Sequence, residues 1–217
     1  MIILFGSDKG GVGKTTTTAN LAVMLVSRGK SVIILKTDKN PDLLTWNELR
    51  TEAGLTAIPL HEAYGEVDKE ILRLKPLCDV LIIDCPGHDS REFRSALTVA
   101  DTMITLVKPS SMFERGTLTN LTDKVRAAQY QHGNSNLKAH VLMTRIKPNK
   151  MADAIALDEE LRSDAVWIQP LKARMSELDV YENAVNLGAG VHEVERASSL
   201  TKAKAQLELV AQEIGLL

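Results

Sequence analysis

The residues with the clearest chemical meaning lie near the start of the chain, in the run Lys9-Gly10-Gly11-Val12-Gly13-Lys14-Thr15. Glycines let backbone N–H groups approach phosphate oxygens, and a helix that begins at such a loop adds positive potential. Lys14 is placed to reach the outer phosphates of a nucleotide, and the Thr15 hydroxyl is placed to ligate Mg²⁺. The pattern therefore predicts nucleotide contacts from Gly10, Gly11, Val12, Gly13, Lys14, Thr15 and Thr16.

This loop departs from the usual phosphate-loop pattern in one respect. The pattern G-x-x-x-x-G-K-[ST] requires glycine where this chain has Asp8, whereas Gly13-Lys14-Thr15 is intact. Residues 1–5 form a short apolar run that predicts a buried strand, and residues 15–29 have helical apolar spacing. The motif thus lies where a strand turns into a helix, which favours a phosphate loop over a structural glycine-rich turn.

A phosphate-loop site needs an acid at the end of a second strand, and Asp84 follows the apolar run 81–83. We predict that Asp84 holds Mg²⁺ through water. The next segment, Cys85–Ser90, has the glycine expected of a switch loop that senses the γ-phosphate. His88 and Asp89 in that segment are better explained as solvated or hydrogen-bonding residues than as acid–base catalysts, because phosphoryl transfer depends mainly on positioning and charge.

The segment Lys9–Thr15 resembles the deviant Walker A box of the ParA/MinD class of ATPases, which has a lysine at the front of the loop as well as at its end. The resemblance implies that Lys9 reaches across a dimer to the nucleotide of the other subunit, while Lys14 acts within its own subunit. It therefore implies an ATP-dependent homodimer. A positive charge delivered only on dimerisation stabilises phosphate charge as an arginine finger does. Without the resemblance, the spacing of the loop fits a solvated, non-functional Lys9 about as well as a Lys9 that acts across a dimer.

The end of the second predicted strand partly matches the same class, which usually has Asp-x-Asp-Pro-Gln at this place. The resemblance assigns the orientation of the attacking water to the second acid, here Asp38, so the expected catalytic residues are Lys9, Lys14 and Asp38. Lys36 replaces the first acid, and we expect it either to turn away from the site or to contact phosphate oxygens. Asp38 also suits the N-cap of the following helix, and the two roles are compatible.

Thr144 and Arg145 come at the end of the predicted strand 137–143, and a similar Leu-x-Thr-Arg stretch lies beside the adenine in the smaller ParA relatives. The resemblance therefore implies nucleotide contacts from both residues, with ATP and Mg²⁺ as cofactors. The lack of an Asn-Lys-x-Asp guanine motif at this place agrees with ATP rather than GTP. Weaker likeness in spacing continues from Ile168 to Glu193, so the resemblance spans nearly the whole chain.

Helical patterns alternate with short β-rich runs along the chain. The predicted strands are 1–5, 31–36, 79–84, 102–107, 137–143 and 165–169, and the predicted helices are 41–53, 67–75, 91–99, 113–132, 150–162 and 193–214. This alternation predicts an α/β fold of the P-loop NTPase type, with a mostly parallel β-sheet flanked by helices on both faces. We expect one ATPase domain over residues 1–217, with no N-terminal helix-turn-helix for operator DNA.

The composition is that of an ordinary soluble globular protein, with 44% hydrophobic and 25% charged residues. No apolar run approaches the roughly 18–20 residues that span a bilayer, and no signal peptide is visible, so we expect a cytoplasmic location. The net charge of −2 means that a DNA-binding face would have to gather positive charge locally. The candidates are Lys147, Lys150, Arg162, Lys172, Arg174, Lys202 and Lys204, each of which is individually more consistent with a solvated surface residue.

Three functions are compatible with the resemblance. The preferred one is a ParA-type ATPase for plasmid or DNA partition. Its ATP-bound dimer binds nucleoid DNA non-specifically, and a centromere-binding or cargo adaptor protein releases it by stimulating slow ATP hydrolysis. The second is a MinD-like or other cargo-positioning ATPase at a membrane surface or on a protein cargo; the predicted last helix is not distinctly basic, as membrane binding would favour. The third is a carboxylate-activating synthetase, for which 217 residues leave little room for substrate segments.

Overall fold

The computed structural model describes every residue from Met1 to Leu217. Its strands are β1 (Ile2–Phe5), β2 (Val32–Lys36), β3 (Leu60–Glu62), β4 (Val80–Asp84), β5 (Thr102–Val107), β6 (Lys138–Ile146) and β7 (Gln169–Ser176). They form one seven-stranded sheet in the order β3-β2-β4-β1-β5-β6-β7, and every neighbouring pair is parallel. The predicted α/β class with a parallel sheet is confirmed.

Helices cover both faces of this sheet. They are α1 (Lys14–Ser27), α2 (Asp42–Glu52), α3 (Asp68–Leu74), α4 (Arg91–Leu97), α5 (Met112–Arg115), α6 (Leu118–Tyr130), α7 (Met151–Arg162), α8 (Val180–Val185) and α9 (Leu200–Glu213), with short 3₁₀ turns at Lys75–Leu77 and Pro148–Lys150. None of them has both the length and the hydropathy needed to cross a membrane.

The core consists of two apolar layers, one on each face of the sheet. Helices α1, α2, α8 and α9 pack on one face in a cluster of 31 buried residues, and α3, α4, α6 and α7 pack on the other in a cluster of 28. Strands β1, β4 and β5 are buried along their whole length, which explains their continuous apolar sequence. Because the strands are parallel, all their carboxyl ends meet at one edge of the sheet.

One predicted strand is wrong. Residues 165–168 form a turn, and the strand β7 begins only at Gln169. Asp164 starts the turn by accepting a hydrogen bond from the Val166 amide at 2.8 Å, and Arg126 donates to the carbonyl oxygens of residues 165–167. The apolar character of Val166 and Trp167 therefore does not reflect a strand.

Other differences concern the limits of elements. The predicted helix 113–132 is two helices, α5 and α6, separated at Gly116 and Thr117. The predicted helix 193–214 begins only at Leu200, and the short elements β3 and α8 were not predicted. Elements of three and six residues are too short to leave a periodic signal in the sequence.

Candidate nucleotide site

The phosphate loop connects the central strand β1 to helix α1, which begins at Lys14. Gly11 and Gly13 have φ angles of 70° and 93°, in the left-handed region that side chains other than glycine rarely adopt. Glycine at these positions therefore allows the loop to curl back on the first turn of α1. The loop backbone and the start of the helix form the concave, positively polarised setting that suits a phosphate group.

The Lys14 side chain is buried inside this loop. Its Nζ donates a hydrogen bond to Ser7 Oγ at 2.9 Å, and Ser7 Oγ in turn donates to the carbonyl oxygen of Lys9 at 2.7 Å. Burial lowers the pKa of the Lys14 ammonium, and the negative charges of Asp84 and Asp38 oppose this effect. Lys14 is thus held in a partly dehydrated position, where a ligand carrying negative charge would gain most from it.

Thr15 and Asp84 come together at the edge where β4 ends. The Thr15 hydroxyl donates to Asp84 Oδ2 at 2.9 Å, and Asp84 Oδ1 is buried without a hydrogen-bond partner. Burial raises the pKa of Asp84 to about 6, although Thr15 and Lys14 partly offset the rise. A hydroxyl and a carboxylate with a free buried oxygen fit Mg²⁺, which prefers oxygen ligands and retains waters.

Replacing Asp84 with asparagine is expected to stabilise the free protein while removing its response to Mg²⁺. The amide has nearly the same shape and still accepts from Thr15, but it avoids burying a charge that the fold disfavours. The gain in unfolding free energy should be about 1–3 kcal/mol at neutral pH. Thermal unfolding in EDTA without nucleotide measures this gain.

The same Asp84→Asn protein should show a much smaller rise in melting temperature than wild type when ATP and Mg²⁺ are added. Ser90→Ala provides a control with a simple structural loss, because Ser90 caps α4 by accepting from the Phe93 amide. An Asp84→Asn variant that is less stable than wild type in EDTA would contradict the assignment of Asp84 as a buried, unfavourable charge.

Asp38 lies near this edge, and its charge affects the pKa values of both Lys14 and Asp84. It does not cap α2, as one interpretation of the sequence had it: Asp38 Oδ1 accepts a hydrogen bond from the Asn40 amide at 3.1 Å, and the N-cap of α2 is Pro41. Asp38 is half-buried and lines a small cavity together with Thr15 and Asp84. Asp38 therefore lies at the same edge of the sheet as Thr15 and Asp84.

The structure bears out the first expected alternative only in part. Lys36 lines the small cavity with Thr15, Asp38 and Asp84, but its ammonium group is bound to groups outside the phosphate loop. Its Nζ donates to Glu62 Oε1 at 2.8 Å and to the Tyr64 hydroxyl at 3.3 Å. Burial favours the neutral amine, yet these hydrogen bonds outweigh it and raise the pKa of Lys36. Lys36 therefore remains charged and paired with Glu62.

Lys9 lies at the entrance of the loop between two close neighbours. Its Nζ is 5.1 Å from the ring centroid of Phe113, a cation–π contact. On the other side Gly87, in the expected switch loop, packs so tightly that a Cβ there would be 2.5 Å from the Gly10 Cα and 2.9 Å from the Lys9 carbonyl carbon. The switch loop and the phosphate loop are thus in direct backbone contact.

A salt-bridge network links both loops to helix α6. Lys124 of α6 contacts Asp8 of the phosphate loop at 2.6 Å and Asp89 of the switch loop at 3.6 Å, and Asp89 also pairs with Arg94 of α4. Hydrogen bonds to Arg94 and the charge of Lys124 lower the pKa of Asp89. His88 is exposed. Asp89 is thus engaged in ion pairs with Arg94 and Lys124.

A cavity of about 180 Å³ lies beside the phosphate loop, on the side toward β5 and β6. Thr144 and Arg145 line it, as do Val12, Gly13 and Thr16 from the loop and α1. Thr144 Oγ1 and Arg145 Nε are buried without hydrogen-bond partners. Unpaired buried polar atoms are costly, so a ligand in this cavity would be stabilised by pairing with them.

Arg145 has a backbone φ of 54°, which is strained for a residue with a side chain. Its guanidinium donates to the carbonyl oxygen of Gly11 at 3.3 Å and to Glu114 Oε2 at 2.5 Å. Arg145 therefore connects the phosphate loop to helix α5, in addition to lining the cavity.

The far wall of this cavity comes from a segment that the sequence did not predict to be part of the site. This wall consists of Met175, Ser176, Glu177, Leu178, Asp179, Tyr181 and Glu182. The segment follows the end of β7, the same position relative to the sheet as the other candidate site residues. A correct location for β7 would have placed Ser176 and Glu177 at the functional edge.

The candidate DNA-contact residues do not form one free basic cluster. Acidic side chains pair with Lys147 (Glu177, 3.7 Å), Lys150 (Asp153, 3.7 Å), Arg162 (Asp158, 2.8 Å) and Arg174 (Asp158, 3.3 Å). Lys204 donates to the Val194 carbonyl at 3.2 Å. The residues without such partners in this set are Lys172 and Lys202, on β7 and α9.

The protein-family model that describes the CobQ/CobB/MinD/ParA nucleotide-binding domain matches residues 3–178 of this chain. The chain belongs to this family. The sequence resemblance to the ParA/MinD class is thereby confirmed, and the family model covers the phosphate loop, the strand ends at Lys36 and Asp84, and the cavity residues Thr144 and Arg145.

Curated relatives resemble this chain to different extents. An uncharacterized ATP-binding protein of Methanocaldococcus jannaschii is 33% identical over 138 residues, and the septum site-determining protein MinD of Synechocystis is 32% identical over 143. In these two, the match spans about half of the relative's own length (52% and 53%). The maintenance of carboxysome distribution protein A of Gloeobacter kilaueensis is 27% identical over 209 residues, covering 96% of this chain and 91% of that protein.

Several solved structures share the fold of this chain. An apo McdA of Cyanothece aligns over 99% of each chain with a TM-score of 0.76 and 18% identity. A plasmid partition protein of Borrelia burgdorferi bound to AMPPNP aligns with a TM-score of 0.71 and 18% identity, over 97% of this chain and 98% of that one. MinD of Pyrococcus horikoshii with Mg-ADP aligns with a TM-score of 0.68 and 21% identity, over 99% of this chain and 97% of that one. These three proteins were thus solved both with and without adenine nucleotides.

Proposed function

We propose that this ParA/MinD-class protein is an ATPase that forms an ATP-dependent dimer, binds DNA without sequence preference and leaves it when a partner protein stimulates hydrolysis. The single observation that supports it most is the pair of lysines in the phosphate loop, with Lys14 buried in the loop and Lys9 at its entrance. Partition of plasmid or other DNA, with a centromere-binding adaptor, is the preferred role. The proposed location is the cytoplasm, on the nucleoid.

The proposed chemistry uses few residues. The loop amides of Gly10–Gly13 and the Lys14 ammonium bind the phosphates, and Asp38 orients the attacking water. Asp84 and Thr15 would hold Mg²⁺, which supplies positive charge to the phosphate oxygens when it is bound. The cavity with Thr144 and Arg145 takes the base. Positioning and charge of this kind account for most catalysis of phosphoryl transfer.

Positioning of a protein cargo is a second candidate function. It is favoured by the relative from Gloeobacter kilaueensis, whose match covers 96% of this chain and whose name assigns it to carboxysome distribution. The two candidates share the ATP-dependent dimer and differ in what the dimer carries.

The proposed function predicts DNA binding that requires ATP and is strongly weakened by salt. Because phosphate contacts release counterions, the affinity for an arbitrary duplex should fall by at least about tenfold between 50 and 200 mM salt. Fluorescence anisotropy with ATP, ADP or no nucleotide measures this, and sizing with light scattering gives the dimer fraction. A catalytically slow Asp38→Ala variant should keep the ATP-bound state populated.

Charge-reversal variants and a vesicle-binding assay distinguish DNA binding from a role at a membrane surface. Lys172→Glu with Lys202→Glu should weaken DNA binding with the dimer fraction unchanged, whereas Lys69→Glu, on helix α3, should change neither. Binding to anionic vesicles without binding to DNA would favour a membrane-surface role. A protein that stays monomeric with ATP at tens of micromolar, a concentration above ordinary dissociation constants, would contradict the proposal itself.

A further inference from the structure

Lys36 lies between two carboxylates in one row of the sheet. Its Cα pairs with that of Glu62 on strand β3 and with that of Asp84 on strand β4. Side chains at paired positions of neighbouring strands project from the same face, and the strands lie about 4.8 Å apart. A lysine side chain is long enough to cross that spacing in either direction. The ammonium group therefore has a carboxylate on each side, and it forms an ion pair with Glu62.

The carboxylate on the other side has the greater need for a positive charge. Asp84 is buried, and its Oδ1 has no hydrogen-bond partner. Glu62 ends an edge strand and is exposed to solvent, which already screens its charge. A charge pair is stronger where water is excluded, so Asp84 would attract a free ammonium group more strongly than Glu62 does.

Three contacts hold Lys36 on the side away from Asp84. The Lys36 Nζ donates to Glu62 Oε1 at 2.8 Å and to the Tyr64 hydroxyl at 3.3 Å, and it lies 5.7 Å from the centroid of the Tyr64 ring. The same hydroxyl donates to Glu62 Oε1 at 2.6 Å. Tyr64 thus fixes the carboxylate that binds the lysine, although that carboxylate lies on the open edge of the sheet.

Movement of the ammonium group toward Asp84 would bring it to the candidate Mg²⁺ site. Lys36 already lines the small cavity that also contains Thr15, Asp38 and Asp84. An ammonium group and a metal ion both bind carboxylate oxygens, so an ammonium on Asp84 Oδ1 would exclude a metal ion from that oxygen. The position of the Lys36 side chain therefore decides whether Asp84 is available.

We propose that Glu62 and Tyr64 are positioning residues that keep the Lys36 ammonium off Asp84 and so leave Asp84 free to bind Mg²⁺. This inference rests on the role of Asp84 in the proposed function. Without the Glu62 charge, Lys36 would be a buried cation with no partner, which is costly. Pairing with Asp84 would offset part of that cost and would block the metal.

Metal affinity in the presence of ADP tests this directly, without hydrolysis. Mn²⁺ serves as the probe because it prefers the same oxygen ligands as Mg²⁺, and electron paramagnetic resonance measures the free ion. Glu62→Gln should weaken Mn²⁺ binding about ten- to a hundredfold, as changes to residues behind metal ligands do. Adding Lys36→Met should restore it to within about threefold of wild type, and Lys36→Met alone should stay within the same range.

A second readout needs neither metal nor nucleotide. In EDTA, Asp84→Asn should raise the melting temperature of the wild type, because it removes a buried charge. In the Glu62→Gln background the same change should lower it by at least about 3 °C, because Asp84 has become the partner of Lys36. A change of sign between the two backgrounds is specific to a lysine that moves.

Two further variants complete the set. Tyr64→Phe keeps the ring but loses the hydroxyl, so it should weaken Mn²⁺ binding by about two- to tenfold, the equivalent of one hydrogen bond. Tyr64 is 46% exposed, so this variant should fold even if Glu62→Gln does not. Glu70→Gln is the matched control, because it breaks an ion pair with Arg73 on the surface of helix α3 and should leave Mn²⁺ binding unchanged.

The outcomes distinguish this inference from the proposed function. Asp84→Asn protein that binds Mn²⁺ as tightly as wild type overturns the metal role of Asp84 and the inference with it. Loss of binding in Asp84→Asn with wild-type binding in both Glu62→Gln and Tyr64→Phe overturns only the inference. Weak binding in Glu62→Gln that Lys36→Met does not restore also overturns it, since Glu62 then acts without Lys36. Weakening with restoration supports it.

Discussion

Lys14→Ala and Lys9→Ala should lose different activities. Lys14 is buried in its own phosphate loop with its Nζ on Ser7, so its loss should weaken ATP binding by about 2–5 kcal/mol, as expected when a buried charged partner is removed. Lys9 lies at the loop entrance with its Nζ against Phe113. Its loss should leave nucleotide binding to the monomer nearly intact but abolish ATP-dependent dimerisation and stimulated hydrolysis.

The measurement is nucleotide affinity beside dimer fraction for each variant. Lys30→Ala is a suitable control, because Lys30 is an exposed lysine at the loop between α1 and β2, away from the carboxyl edge of the sheet. Equal loss of nucleotide binding in Lys9→Ala and Lys14→Ala would contradict a role for Lys9 across the dimer, as would a Lys9→Ala protein that behaves like wild type.

Lys36 should not compensate for a missing Lys9. Its Nζ is engaged by Glu62 and Tyr64, so no free charge is available to replace that of Lys9. The effects of Lys9→Ala and Lys36→Ala on dimerisation should therefore be additive in a double-mutant cycle. A coupling energy above about 0.5 kcal/mol would show that Lys36 reaches the phosphates after all.

The second large effect is expected from adding one methyl group to the switch loop. In Gly87→Ala the new Cβ would lie 2.5 Å from the Gly10 Cα and 2.7 Å from the Gly10 nitrogen. Both are backbone atoms and cannot rotate away, so one loop must shift. We expect nucleotide affinity to fall at least about tenfold and unfolding free energy to fall by about 1–3 kcal/mol.

Isothermal titration and thermal unfolding measure these two quantities. His88→Ala changes the adjacent residue of the same loop, but His88 is exposed, so both quantities should remain close to wild type. Wild-type nucleotide affinity in Gly87→Ala would mean that the switch loop does not pack on the phosphate loop as described.

The sequence was sufficient to predict the parts of the site that depend on buried central strands. Strands β1 and β4 are buried on both faces, so each is a continuous apolar run whose end can be located in the sequence. Phe5 pairs with Asp84 in the sheet, and this register brings Thr15 to Asp84. Thr144 and Arg145 were expected near the nucleotide only from the family resemblance, and the structure places them beside the phosphate loop, within the last three residues of β6.

The remaining parts depend on features without a local signal. Strand β7 is at the edge of the sheet and carries Lys172 and Arg174, so its sequence does not resemble that of a central strand, and the cavity wall after it was missed. The contact of Lys9 with Phe113 joins residues that are distant in sequence. The pairing of Lys36 with Glu62 depends on the three-residue strand β3, which is too short to predict.

The pairing of Lys36 with Glu62 makes the two residues unequal in how well the fold would tolerate the loss of either one. The Lys36 side chain is 2% exposed and that of Glu62 is 38% exposed. A lone lysine at position 36 would be a buried charge without a partner, which is strongly destabilising, whereas a lone glutamate at position 62 is still hydrated. Substituting Glu62 alone should therefore cost far more stability than substituting Lys36 alone, and replacing Lys36 alone with an acid would place like charges on adjacent strands.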